Sequence, residues 1–197
     1  MFRPASPRPF ETGRYAARPE TALVEGTRVR LREWRSDELE AMHRWLGSPE
    51  VTRFLTWGAK SLDESARHLE LCVSEQTKPE RTRYYLAAEL RRSGEVMGDA
   101  GFEWVDREQR ERELGYFLLS AYWRQGIGSE CARLVLQLAF GRCGALAMRA
   151  SCDARNAASE RVMQKCGMRR DTESEKPGRR AYRITRADRL HDAGRLA

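Results

Sequence analysis

Apolar residues in this chain alternate with polar ones in some stretches and recur every three or four residues in others. The two periods predict strands and helices, because side chains alternate across a strand but cover one stripe of a helix. The pattern predicts a first strand at residues 29–32 and three more at 84–90, 95–104 and 113–119. The turns between the last three are too short for a crossover, so these strands are expected to form an antiparallel meander.

Residues spaced three or four apart predict helices between the strands. The first helix is capped by Ser36 or Asp37 and ends before Gly47, where glycine and proline break the pattern. Ser61 caps the second helix, whose apolar residues recur at helical spacing on one side. Those residues are Leu62, Ala66, Leu69, Cys72 and Val73.

A third helix begins near Gly128 and carries a clean apolar stripe at helical period. The stripe consists of Cys131, Leu134, Val135, Leu138 and Ala139. Glu130, Arg133 and Gln137 fall between these positions and are expected to lie on the opposite face of the helix.

A buried strand at residues 145–152 follows this helix. Because a helical crossover separates it from the strand at 113–119, the two strands are expected to be parallel. A fourth helix at 156–165 and a hairpin formed by 168–172 and 181–185 complete the order. The whole order predicts a mixed α+β sheet with flanking helices and no internal repeat.

The composition is typical of a folded globular protein. The chain has 197 residues, of which 41% are hydrophobic and 33% are charged. No apolar run is long enough for a membrane span and the N-terminus lacks the apolar middle of a secretory signal, so a cytoplasmic location is expected. The five cysteines form no CxxC pair and the histidines are scattered, which predicts reduced thiols and no metal site.

The net charge of +7 comes almost entirely from arginines that are interleaved with acidic residues. A polyphosphate cofactor or an acidic partner would explain this surplus as well as nucleic acid would. Prolines and arginines are frequent in residues 1–22, which predicts a flexible arm or an edge wrapping, and residues 189–197 are expected to form a tail.

Residues 122–129, Tyr-Trp-Arg-Gln-Gly-Ile-Gly-Ser, join the predicted strand at 113–119 to the third helix. Glycines let the backbone approach an anion closely, and the first amides of a helix are unpaired donors at the positive end of its dipole. Arg124 adds a fixed positive charge that can pair with phosphate oxygens. A Gly-x-Gly alone is more often an ordinary turn, but this combination predicts phosphate binding.

These segments resemble the GNAT superfamily of acetyl-CoA-dependent N-acetyltransferases. The resemblance lies in the order of elements and in three motifs: Glu113-Leu114-Gly115-Tyr116, Trp123-Arg124-Gln125-Gly126-Ile127-Gly128, and Asn156 followed by Cys166-Gly167-Met168. It is most similar to the branch of the ribosomal-protein-alanine N-acetyltransferases. It implies one GNAT domain over residues 23–188, with a mostly antiparallel sheet that is splayed at the coenzyme A site.

The resemblance also implies the cofactor contacts. The turn and the helix start are expected to bind the diphosphate of acetyl-CoA through Arg124, Gln125, Gly126, Ile127, Gly128 and Ser129. The strand around Phe117, Leu118 and Leu119 is expected to diverge from the strand at 147–152 and so to admit the pantetheine arm. Asn156 is expected to contact this arm or to cap its own helix.

An amine must lose a proton before it attacks a thioester, and Glu113 is the expected general base. The alternative is an exposed acid paired with Arg112 or Arg110. The resemblance places Met163 where many relatives carry a tyrosine that acts as the acid, and methionine cannot donate a proton. Ser159 is the candidate for that role, unless its hydroxyl only bonds a helix carbonyl.

The expected reaction is direct transfer of an acetyl group from acetyl-CoA to a primary amine within a ternary complex. The acceptor is a protein N-terminus or a small molecule, and a second subunit in a homodimer can contribute to its site. The aromatic residues Phe54, Trp57, Phe102 and Trp104 are either acceptor-site walls or core. The alternatives are a catalytically idle acyl-CoA-binding regulatory domain and a nucleic-acid binder, but the retention of Glu113 opposes the first and no reading element supports the second.

Overall fold

The computed structural model describes residues 23–189, so the predicted arm at 1–22 and almost all of the predicted tail lie outside the described residues. Its centre is an eight-stranded sheet with the order β1-β2-β3-β4-β5-β6-β8-β7. Neighbouring strands are antiparallel except β5 and β6, which are parallel as predicted. The strands are β1 (Val24–Glu25), β2 (Val29–Arg32), β3 (Arg83–Leu90), β4 (Val96–Asp106), β5 (Glu111–Leu118), β6 (Ala147–Asp153), β7 (Arg169–Arg170) and β8 (Arg179–Thr185).

Helices cover both faces of this sheet. They are α1 (Leu39–Leu46), α2 (Pro49–Thr52), α3 (Leu62–Glu75), α4 (Ile127–Gly141) and α5 (Ala157–Lys165), and a further helical turn begins at residue 186. One apolar cluster joins α1 and α3 to the sheet through Trp45, Leu69 and Ala87, and another joins α4 and α5 to the opposite face through Val135 and Met163. The fold is therefore the predicted mixed α+β sheet between two helical layers.

The helix starts were predicted with uneven success. Ser61 caps α3 as predicted: its Oγ accepts from the Glu64 N–H at 3.2 Å, and the Glu64 carboxylate accepts from the Ser61 N–H at 2.9 Å. Leu62, however, is 52% exposed, because the first position of α3 faces solvent. The predicted cap of α1 is wrong, since Glu38 precedes this helix and its carboxylate binds the Arg35 N–H in the preceding turn.

The expected outward position of Glu130 is also wrong, because this residue is only 8% exposed. One carboxylate oxygen accepts from the N–H groups of Arg28 at 2.7 Å and Val29 at 3.1 Å. The other oxygen accepts from Arg28 Nε at 3.0 Å. Burial opposes the charge, but these hydrogen bonds lower the pKa of Glu130 below its usual range. Glu130 thus ties the β1–β2 hairpin to the first turn of α4.

The three strands β3, β4 and β5 form the predicted meander, with Gly101 of β4 opposite Gly115 of β5. The terminal hairpin is also present, but β7 has only two residues and β8 lies between β6 and β7. β6 begins at Ala147, two residues after the predicted start. The meander and the parallel strand β6 together place the end of β5 beside the start of α4.

Candidate functional site

The parallel strands β5 and β6 pair only along their first halves. The register pairs are Glu111 with Ala147, Arg112 with Met148 and Glu113 with Arg149. β5 continues to Leu118 and β6 continues to Asp153, but the two strands do not pair beyond Glu113. They enclose an opening that has Glu113 at its closed end and the start of α4 near its mouth.

Of the backbone amides at the end of β5, that of Leu118 faces this opening. The Leu119 N–H donates to the Met97 carbonyl of β4 at 2.9 Å, and the Leu119 carbonyl accepts from the Tyr122 N–H at 3.0 Å. Because successive amides on a strand point to opposite sides, the Leu118 N–H points toward β6. The Leu118 carbonyl accepts a hydrogen bond from Trp123 Nε1 at 2.7 Å.

Phe117 presents its ring to the α1 side of the sheet, where it stacks on Trp45 with 5.1 Å between ring centroids. By the same alternation, the Phe117 amide points toward β4. The divergence of β5 from β6 thus leaves the Leu118 amide facing the opening, whereas the Leu119 N–H and carbonyl both have partners.

The turn before α4 has the left-handed geometry that glycine favours. Gly126 stands at the N-cap with φ of 79°, and Arg124 has φ of 60°. The Glu130 N–H donates to the Gly126 carbonyl at 3.1 Å, which is the first bond of the helix. The backbone amides of Ile127, Gly128 and Ser129 come before this bond and have no acceptor within the helix.

The predicted cofactor-binding residues of this turn differ in whether their side chains or only their backbone amides can contact a ligand. The side chains of Ile127 and Ser129 are buried, so only their backbone amides can reach a ligand. The Gln125 side chain donates to the Ala121 carbonyl at 2.7 Å and so braces the turn. Arg124 is exposed at the surface of the turn. A diphosphate there would meet backbone amides and a mobile cation.

Arg28 adds a second cation to this turn from the β1–β2 hairpin. Its Nη1 donates to the Gln125 carbonyl at 2.8 Å, and its Nε binds Glu130. The third guanidinium nitrogen, Nη2, borders the turn, because a Cβ built on Gly126 would lie 3.3 Å from it. No local pattern in the sequence points to this residue, because 97 positions separate Arg28 from Gln125.

Glu113 lies on the face of β5 that carries Gly115 and Phe117, as alternation predicts. Its Oε1 accepts from Ser151 Oγ at 3.1 Å. Within residues 23–189, Glu113 pairs with neither Arg110 nor Arg112, and the latter is buried on the opposite face. The carboxylate therefore keeps capacity to accept a further proton or hydrogen bond.

The first turn of α5 lies across from the end of β5. The Ser159 Oγ accepts from the Tyr116 hydroxyl at 3.4 Å, and the Ser159 N–H donates to Asn156 Oδ1 at 3.1 Å. Asn156 therefore caps its own helix, one of the two expected roles. In the described part of the chain, the Ser159 hydroxyl contacts the phenol of Tyr116 and no helix carbonyl, whereas Met163 is buried in the core.

Tyr116 is a candidate group that the sequence did not bring out. Its ring lies against the start of α4, because a Cβ built on Gly128 would be 3.1 Å from it. Burial raises the pKa of Tyr116 to about 12, although the contact with Ser159 opposes the shift. The hydroxyl therefore stays protonated near neutral pH and can donate. The only hint in the sequence is a phenol at an inward position of β5.

The four aromatic candidates for the acceptor site divide between the two faces of the sheet. Phe102 and Trp104 stack against a buried arginine on the α4 face, so neither can line a site beside Glu113. Trp57 lies on the Glu113 face, with its ring 6.1 Å from that of Phe117. Phe54 follows α2 in the same segment as Trp57.

Three of the five cysteines, Cys131, Cys152 and Cys166, lie close enough to Tyr116 to act on it electrostatically. All five cysteines are free, as predicted, and burial raises the pKa of Cys131 to about 12. Between residues 23 and 189, no group of three potential ligands is placed to hold a metal ion, and no helix is long and apolar enough to cross a membrane. A cavity of about 680 Å³ lies beside the start of β3 and the end of β4, and it is lined by Tyr84, Trp104 and Cys143 among others.

Comparisons with known proteins agree with this geometry. The family described as "Acetyltransferase (GNAT) domain" matches residues 28–169. The chain is 25% identical over 150 residues to the uncharacterized N-acetyltransferase YoaA of Bacillus subtilis (strain 168), covering 76% of this chain and 84% of that protein. The family match spans well over half of the chain.

Solved structures share the fold at low sequence identity. An acetyltransferase (GNAT family) from Bacillus anthracis has a TM-score of 0.71 at 20% identity, over 82% of this chain and 97% of that one. A Vibrio cholerae structure, to which ribosomal-protein-serine acetyltransferase activity is ascribed, has a TM-score of 0.69 at 19% identity, over 82% and 96%. The chain belongs to the GNAT acetyltransferase family and is an N-acetyltransferase.

Proposed function

We propose that this protein transfers the acetyl group of acetyl-CoA directly to a primary amine, with Glu113 as the general base. The observation that carries the proposal is the opening between β5 and β6, which has a carboxylate at its closed end and a helix N-terminus at its mouth. Acetyl-CoA supplies the acetyl group as a thioester, and the residues around the opening have to hold it and move a proton.

The groups at the opening fit a cosubstrate that carries a diphosphate and an amide-containing arm. The amides of residues 127–129 and the cations Arg28 and Arg124 suit the diphosphate. The inward-facing amide of Leu118 suits the thioester carbonyl, where negative charge develops during acyl transfer. Asn156 keeps its amide NH₂ available for the arm while its oxygen caps α5.

Glu113 is proposed to take the proton of the attacking amine, either directly or through one water. Within residues 23–189 its one hydrogen-bond donor is the Ser151 hydroxyl, which orients the carboxylate without neutralising it. Ser159 is proposed to return a proton to the departing thiolate. Tyr116 donates to Ser159 and can replace the proton that Ser159 gives away.

For the acceptor, we favour the primary amine of a protein N-terminus or of a small molecule. The motifs resemble the ribosomal-protein-alanine branch, and the Vibrio cholerae structure with ascribed ribosomal-protein-serine activity points the same way. We regard residues 23–188 as one catalytic domain that acts in the cytoplasm, with or without a second subunit. The alternative is a regulatory domain that binds acyl-CoA without turnover.

The test is acetyl-CoA turnover against pooled peptides, ribosomal proteins and small amines, with mass spectrometry of the products. Calorimetric titration with acetyl-CoA runs in parallel. Binding together with amine-dependent release of coenzyme A is the expected result. Binding without turnover across the whole panel would favour the regulatory domain, and absence of binding would refute the site.

A further inference from the structure

A row of charged residues crosses the sheet beside Glu113. Register pairs join Arg83 to Glu103, Glu103 to Glu113, Glu113 to Arg149, and Arg149 to Arg183. Side chains at paired positions share a face of the sheet, so all five lie on the Glu113 face. Acidic residues occupy the row on β4 and β5, and arginines occupy it on β6 and β8.

The arginine end of this row has more positive charge than its acidic neighbours neutralise. Arg149 and Arg183 share one carboxylate, that of Glu111, at 3.6 Å and 2.6 Å. On the other side, Glu103 accepts from Tyr85 OH at 2.7 Å and from Arg83 Nε at 3.1 Å, so within residues 23–189 Glu113 is the acidic member of the row without an arginine partner. The sheet surface next to the candidate base therefore changes from negative to positive over two neighbouring strands.

Arg179 is the arginine nearest to the candidate base through hydrogen bonds. Its Nη2 donates to Ser151 Oγ at 3.0 Å, and Ser151 Oγ donates to Glu113 at 3.1 Å. In the part of the chain that the structure describes, Arg179 forms no ion pair. Asp153 lies opposite Arg179 in register and is bound by Arg155 at 2.8 Å; the hydrogen bonds from Arg155, with a smaller contribution from the charge of Arg179, lower the pKa of Asp153.

We propose that Arg179 binds an anionic group that the acceptor carries close to its amine. An acceptor amine arrives mainly as an ammonium ion, which the Glu113 side of the row attracts. A guanidinium presents a planar fork that matches a carboxylate, and most of the donors of Arg179 remain unused. This inference rests on the proposed function, because it places the acceptor amine at Glu113.

The spacing sets the kind of acceptor. The Ser151 hydroxyl bonds both the Glu113 carboxylate, at 3.1 Å, and the Arg179 guanidinium, at 3.0 Å. The amine and the anion of the acceptor are therefore separated by a few covalent bonds. The α-carboxylate of a free amino acid meets this condition, and so does the acidic side chain of the first residue of a peptide.

The experiment compares matched acceptors on the full chain. Free amino acids are paired with their amides, and peptides that begin with Asp are paired with peptides that begin with Asn. The wild type should favour the anionic member of at least one pair by ~10- to 100-fold in kcat/KM, the range expected for a desolvated charge pair. Arg179→Ala should remove this preference by lowering kcat/KM for the anionic acceptors about 10- to 100-fold more than for their neutral counterparts.

A matched control and a conservative variant complete the test. Arg186→Ala changes the same residue type beyond the other end of β8, where the side chain is exposed, and it should keep the preference. Arg179→Lys should retain part of it, because the charge remains but the fork is lost. The pair that shows the preference identifies the source of the anion, amino acid or peptide.

Two results would overturn the assignment while leaving the proposed function in place. One is a wild type that turns over anionic and neutral acceptors equally. The other is an Arg179→Ala variant that loses rate equally with both and shows a shifted pH profile, which would mean that Arg179 acts on Glu113 through Ser151. A wild type that fails to bind acetyl-CoA would refute the proposed function itself, and this inference with it.

Discussion

The two ends of the β5–β6 opening are built from different chemical groups. At the mouth, the donors are largely backbone amides of Leu118 and of the α4 start, and a turn and a helix fix their positions. At the closed end, the groups are the side chains of Glu113, Ser151 and Arg179, and the register of three strands fixes theirs. Side-chain substitutions should therefore affect catalysis and acceptor choice more than cofactor binding.

The carboxylates of Glu130 and Glu113 also differ in the groups that bind them. Glu130 has hydrogen bonds from two backbone amides and a guanidinium, and it holds the hairpin that carries Arg28. Glu113 has one hydroxyl donor and keeps capacity for a proton. A fully hydrogen-bonded carboxylate stabilises structure, whereas a carboxylate with a single neutral donor remains able to act as a base.

The largest effect is expected from Glu113→Gln, which removes the base but keeps the shape of the side chain. Turnover at neutral pH should fall by ~10²- to 10⁴-fold, the usual contribution of general base catalysis. Acetyl-CoA affinity should stay nearly constant in calorimetric titration, because the turn is not altered. Glu108→Gln, in the exposed turn between β4 and β5, is the control and should keep full turnover. Unchanged turnover in Glu113→Gln would place the base elsewhere.

Glu130→Ala should instead affect stability first. It leaves the buried N–H group of Val29 and the partly buried N–H group of Arg28 without their acceptor, and the free energy of unfolding should fall by about 2–4 kcal/mol. Because hydrogen bonds lower the folded pKa of Glu130, its stabilising contribution is present above the unfolded pKa. That contribution is lost as pH falls through the folded pKa.

Denaturant titrations of the wild type and Glu130→Ala across this acid range measure both effects. The stability difference between the two proteins should shrink as the solution is made acidic. A difference in unfolding free energy that does not depend on pH would mean that the charge of Glu130 does not stabilise the hairpin.

Arg28→Ala tests whether a side chain at the mouth of the opening contributes to acetyl-CoA binding. Acetyl-CoA affinity should weaken by about tenfold at low ionic strength, since one charge-assisted contact is lost. The 3′-dephospho form should weaken equally, because Arg28 borders the turn that we propose binds the diphosphate. Acetyl-pantetheine, which lacks the diphosphate, should be unaffected, and the exposed Arg92→Ala should behave like the wild type. An effect restricted to the 3′-phosphate would contradict this placement.

The smallest effect is expected from Tyr116→Phe, because a coenzyme A thiolate leaves readily. The rate constant kcat should fall by a few fold while KM for acetyl-CoA stays the same. Ser159→Ala should lower kcat by a similar factor. The double variant should lose no more kcat than either single variant, because the two hydroxyls belong to one hydrogen-bonded chain. Additive losses would show that the two hydroxyls act separately.

Local patterns predicted much of the fold. The alternation along β3, β4 and β5 and the short turns between them indicated the meander, and the apolar stripe of α4 indicated its buried face. The Ser61 cap and the Gly126 turn were also predictable, because each depends on residues within a few positions. The same local signal missed α2, a helix of four residues that follows a glycine and begins with a proline.

The sequence by itself thus determined the order of elements, the glycine turn and the presence of Glu113 on the strand before it. The tertiary structure decided that Glu130 is buried, that Arg28 reaches the turn and that Phe102 lies on the wrong face for the acceptor. It also decided that Arg179 stands one hydroxyl away from Glu113. Each of these depends on strand register or helix packing between distant residues, which periodicity along the chain does not encode.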